Sequence, residues 1–136
     1  MFDGDGGSNA VPFETAYLIP VIQVRHEPEY VLVTVIGEVD YGAVAGVRER
    51  LFALAATGRH LVADLDRVSF IDAAGLGALA GAARRAAAHG GSLRVVCARP
   101  LIWRLFRLTG LDREVPLAGC LAEALREVAG ADAAAV

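Results

Sequence analysis

Lysine is missing from this chain: all thirteen basic residues are arginines, scattered along 136 residues that carry a formal net charge of −3. A nucleic-acid backbone needs basic side chains gathered on one face. Their dispersion excludes a direct nucleic-acid partner, and the Ala, Gly and Arg enrichment points only to a GC-rich genome. Cysteine is nearly missing too, with Cys97 and Cys120 alone and no C-x-x-C spacing. The two read as small buried residues of a reducing compartment. The rival reading is a redox pair, which separation along the chain does not decide. Long uncharged runs are also lacking, because Glu38, Asp40, Asp64, Asp72 and Arg84 interrupt every stretch before the roughly 18 to 20 residues of a membrane-spanning helix. No membrane insertion is expected. The start, Met1-Phe2-Asp3-Gly4-Asp5, carries acid where a secretory signal carries base, which places the chain in the cytoplasm.

What is present is apolar: 55% of the residues are hydrophobic and 21% charged, the composition of a folded globule with one core. Residues 1–15 read as a flexible N-terminal tail rich in Gly, Asp, Ser and Asn, residues 16–130 as the domain, and residues 131–136 as a frayed C-terminus. Val21 to Arg25 and Tyr30 to Gly37 are strand-like runs flanking the polar turn His26-Glu27-Pro28-Glu29, a hairpin signal. From Asp40 the period becomes helical, with Val44, Val47, Leu51 and Leu54 on one face and Thr57-Gly58 at the end. Leu61 to Leu65 is a strand covered on both sides, and a helix beginning at Leu76 runs to His89-Gly90-Gly91. Ser92 to Ala98 is the next strand. Pro100 to Leu108 is a short helix with Leu101, Ile102, Leu105 and Phe106 inward, Val115 to Leu117 a short strand, and Leu121, Leu125 and Val128 mark a last helix. A hairpin followed by alternating strands and helices defines an α/β domain with a mixed, mostly parallel sheet of about four to five strands and about four helices.

Catalytic groups are sparse. His26, His60 and His89 share no ligand spacing and read as surface residues, so neither a metal nor a catalytic histidine is expected. Ser69 has no histidine near it in sequence and no nucleophile elbow. The acid pairs Glu38/Asp40 and Asp64/Asp66 come without an apolar pocket and read as solvated loop acids rather than acid and base. Gly75 to Ala80 fits G-x-G-x-x-A at a helix start, the pattern of a dinucleotide loop. Asp72-Ala73-Ala74 intervenes before its first glycine, and the next strand ends without an acid for a ribose. The stretch Ile71-Asp72-Ala73-Ala74-Gly75-Leu76-Gly77, a turn from a buried strand into a helix, is where backbone N–H groups would meet a partner.

Three segments together resemble the STAS domain family, in particular bacterial anti-sigma factor antagonists. They are Gly37-Glu38-Val39-Asp40 leading into Val47-Arg48-Glu49-Arg50-Leu51, Leu65 to Asp72 leading into Gly75-Leu76-Gly77, and Thr109-Gly110-Leu111-Asp112. They span about Val21 to Val128. The resemblance implies a small mixed sheet with helices, no catalysis and no cofactor. It also implies binding to an anti-sigma factor, often itself a serine kinase, which frees a sigma factor; a homodimer is compatible with it. Glu38, Asp40, Asp72, Ala73, Ala74, Gly75, Leu76 and Gly77 are then the expected partner-binding residues. In the family a phosphorylatable serine follows the aspartate of the turn. Here that position is Ala73 and its hydroxyl neighbour is Ala74. The family's Asp-x-x-Thr-Ala-Pro likewise becomes Asp40-Tyr41-Gly42-Ala43-Val44-Ala45. The alternatives carried forward are an accessory or scaffold STAS subunit of a transport or stress-signalling complex, and a nucleotide-binding protein using Gly75 to Ala80.

Overall fold

The computed structural model describes residues 21–135, with side chains through residue 131. The tail expected over residues 1–15 lies outside the described residues. Strands β1 (Val21–His26) and β2 (Val31–Val39) form the expected antiparallel hairpin. Helix α1 (Val44–Ala55), strand β3 (His60–Ile71), helix α2 (Ala73–Ala88) and strand β4 (Ser92–Val96) follow. Helix α3 (Pro100–Thr109), a 3₁₀ turn at Leu111–Arg113, strand β5 (Leu117–Ala118) and helix α4 (Leu121–Ala135) complete the order. The sheet runs β1-β2-β3-β4-β5, antiparallel at its first pair and parallel at the other three. Helical crossovers between parallel strands require this arrangement.

Alternation along β3 divides the core. Leu61, Ala63 and Leu65 join Val31, Val33 and Val35 of β2, Leu51 of α1, Leu79 of α2 and Phe106 of α3 in one cluster. Val62 faces the other way, with Val96, Ala118, and Ala124 and Val128 of α4. Successive strand side chains point to opposite faces, so α1, α2 and α3 cover one face and α4 the other.

The structure departs from the sequence reading at several elements, and its last strand is Leu117–Ala118, not Val115 to Leu117. β3 extends six residues beyond Leu65, to Ile71. Its buried positions there are Leu65, Val68 and Ile71, every third residue, because the β2–β3 register shifts twice, between Thr34 and Ile36 and between Gly37 and Glu38. Each extra residue bends the strand and breaks the period of two. Gly37, with φ 108°, sits at the second shift, in a conformation that side chains disfavour. α2 starts at Ala73 rather than Leu76, so Ala73-Ala74-Gly75 is its first turn. Leu101 is 55% exposed, since α3 buries only the narrow stripe Ile102 and Phe106. α4 stays helical to Ala135, across the expected frayed end, on a run of alanine, the strongest helix former.

Among the described residues Phe106 is the largest fully buried side chain. Phe106→Ala should lower unfolding free energy by about 3–5 kcal/mol, measured by urea denaturation.

Candidate functional site

The parallel strands β2 and β3 end side by side, and one carboxylate ties their exits together. Asp72 is the N-cap of α2: its Oδ1 accepts from Ala74 N at 3.0 Å and Gly75 N at 3.1 Å. Its Oδ2 accepts from Tyr41 N at 2.9 Å, and its own N–H donates to Val39 O at 3.3 Å. Asp40 closes the next loop, its Oδ1 accepting from Ala43 N at 3.0 Å just before α1. Gly75 is required by this closeness, because a Cβ there would lie 2.7 Å from both Val39 O and Ile71 Cγ1. The β2–α1 loop and the start of α2 therefore form one rigid corner.

Of the expected partner-binding residues, Ala73 and Gly77 face outward, while Glu38, Asp40, Asp72 and Ala74 are half-buried at the corner. Gly75 and Leu76 are buried and hold the corner from within, Leu76 also lining the groove toward Leu111. Sequence reasoning missed the flank of this surface. Tyr41, 83% exposed, begins a groove of about 410 Å³ between α1 and α2 that is lined by Val44, Arg48, Phe52, Gly77 and Arg84 among others. On the other side of Ala73 and Gly77, a groove of about 260 Å³ runs to Thr109, Leu111 and Glu114. The helical spacing of Arg48 and Phe52 was the one signal available; Gly81 and Arg84 come from a distant segment.

The remaining candidates are not brought together. Cys97 is buried, and burial raises its thiol pKa. Cys120 is exposed, contrary to its reading as a small buried residue, because it sits in the turn that opens α4; both thiols are free. His26 and His89 are exposed. His60 Nδ1 lies 2.7 Å from Ser92 Oγ, which accepts from Arg94 at 2.6 Å, and Arg94 pairs with Glu127 of α4 at 3.3 Å. This chain of contacts anchors α4 to the sheet. Among the described residues no three His, Cys, Asp or Glu side chains are grouped to hold a metal ion. Asp64 and Asp66 belong to β3 rather than to a loop, and Asp66 Oδ1 accepts from Ala98 N at 2.7 Å. A phosphate at the start of α2 would have to displace the Asp72 carboxylate from Ala74 N and Gly75 N, and Gly75 is already explained by packing. Both points count against the dinucleotide loop.

A STAS domain model matches residues 21–124. The chain belongs to the STAS domain family. The Bacillus subtilis (strain 168) anti-sigma-B factor antagonist is 33% identical to this STAS domain over 90 residues, 66% of this chain and 83% of the relative. The crystal structure of an anti-sigma factor antagonist from Mycobacterium paratuberculosis superposes with a TM-score of 0.73 at 31% identity, covering 80% of this chain and 93% of the other. The anti-sigma factor antagonist SpoIIAA in its unphosphorylated form gives 0.66 at 26%, covering 81% and 97%. No helix among the described residues of this STAS chain is long and apolar enough to cross a membrane.

Two outcomes follow from the corner and the thiols. Asp72→Ala should cost about 1–2 kcal/mol of stability through the lost cap, with Asp72→Asn retaining most of it, both read from urea denaturation. A water-soluble aromatic disulfide should label Cys120 alone in the folded protein and Cys97 only after unfolding. Because the fold raises the Cys97 pKa, it favours the neutral thiol, so this group's contribution is present at neutral pH and falls away as pH rises past the unfolded thiol's value.

Proposed function

We propose that this protein is an anti-sigma factor antagonist that holds its partner on the corner formed by Asp40, Asp72, Ala73 and Gly77, and that phosphate at position 73 does not switch it. The observation that carries the reading is an exposed methyl group at Ala73, the first residue of α2, inside a STAS frame. A phosphoserine there would add about −1.5 to −2 charge and three acceptor oxygens beside the Asp72 carboxylate. Alanine has no oxygen to carry the phosphate, so the complex forms whenever the partner is present, or is regulated through the partner.

The activity is binding without catalysis. Asp72 caps α2 and Asp40 closes the turn before α1 instead of facing a substrate, and sequestering a cytoplasmic anti-sigma factor, of serine-kinase type in many family systems, frees the sigma factor. The protein itself does not touch nucleic acid.

Calorimetry with purified anti-sigma factors of the source organism, taken one at a time, tests this. One of them should bind the native chain, Ala73→Glu should bind it at least tenfold more weakly, and kinase with ATP should leave the native complex intact. Ala73→Glu binding as tightly as the native protein would place the interface elsewhere.

A further inference from the structure

Helix α2 contains three glycines, and contacts within the chain account for two. Gly75 is forced by Val39 and Ile71, and a Cβ at Gly81 would come 2.8 Å from the Phe52 ring. At Gly77 a Cβ would meet nothing within 4 Å, although glycine inside a helix is less stable than alanine. Gly46 and Gly130 are equally open, but neither lines the groove between α1 and α2. Gly77 lines that groove together with the exposed Tyr41 and with Phe52. Arg48 stands over Phe52 at 5.0 Å and Arg85 at 5.8 Å from the ring centre. Arg84 lies on the rim beside them, partly balanced by Glu114 at 3.0 Å.

The charge of this groove is one-sided. Among the described residues no carboxylate lines it, and Asp40 and Asp72 of the adjoining corner accept backbone N–H bonds. On a chain of net charge −3, this face offers arginine charge around an apolar floor. An exposed aromatic beside arginines, over a floor without a side chain, has the make-up of a binding hot spot.

We propose that this groove receives an acidic segment of the anti-sigma factor, whose carboxylates meet Arg48 and Arg84 while its backbone passes close over Gly77 beside Tyr41. The inference rests on the function proposed above and extends that docking face from the corner along α1 and α2. Opposite charges across such a contact speed association and make it sensitive to salt.

The test uses the full chain and the purified anti-sigma factor that binds it, with affinities at 50 and about 300 mM salt. Gly77→Ala should raise the melting temperature yet weaken binding at least tenfold, whereas Gly130→Ala should raise the melting temperature and leave binding unchanged. Arg48→Glu should weaken binding at least tenfold at low salt and less at high salt. Arg48→Gln should flatten the salt dependence with the fold intact, and Arg126→Glu on α4, across the sheet, should bind within twofold of native. If both Arg48 variants bind within twofold while Ala73→Glu still weakens the complex, the groove proposal falls and the corner stands. If no anti-sigma factor binds the native chain, both fall. A native dimer dissociated by Tyr41→Ala with anti-sigma affinity unchanged would make the occupant a second copy and overturn the proposal.

Discussion

The Asp72 carboxylate is the constraint around which the rest of this surface is arranged. Three backbone N–H groups, one from the β2–α1 loop and two from the first turn of α2, converge on it, and the two helical ones have no partner within the helix. By accepting them, one side chain terminates β3, starts α2 and pins Tyr41 against that start. The two register shifts along β3 bring the exits of β2 and β3 to one place, and Gly75 lets α2 seat against Val39. Losing any one of these features would leave the other two poorly oriented.

A corner built this way is fixed before a partner arrives. Little conformational freedom remains to be lost at Ala73 or Gly77, so on the proposed docking face contact energy would not be spent on ordering loops. The same rigidity explains why a switch at this position would have to work through charge. The start of α2 already holds the Asp72 carboxylate in its N–H groups, and a second negative group on the next residue would stand beside the first without those donors to stabilise it. With alanine at 73 and 74 that lever is absent. On the proposed function, the STAS frame keeps a docking surface that has no hydroxyl at positions 73 and 74.

Much of this was legible in the sequence, and the exceptions have physical causes. The hairpin followed from two Val- and Ile-rich runs around a polar turn and α1 from a period of 3.6, and three separated segments carried the family resemblance. β3 read short because its bulges bury Leu65, Val68 and Ile71 at a spacing that belongs to neither a strand nor a helix. Asp72-Ala73-Ala74-Gly75 read as a turn because small residues beside glycine favour turns. A capping carboxylate instead made them helical. The groove was not legible, since Phe52 and Gly81 meet only through the packing of α1 on α2. Leu101 looked like core because a strongly amphipathic α3 pattern does not reveal how wide a stripe its neighbours will cover.

The most direct measurement is a nuclear magnetic resonance titration of the isotope-labelled chain with its purified anti-sigma factor, following every backbone amide. The account predicts that the largest changes cluster at Tyr41, Ala73, Ala74 and Gly77 and continue to Arg48 and Arg84. The α4 amides across the sheet should stay still. Changes centred on α4 or the β1 edge, with Ala73 and Gly77 unmoved, would contradict it.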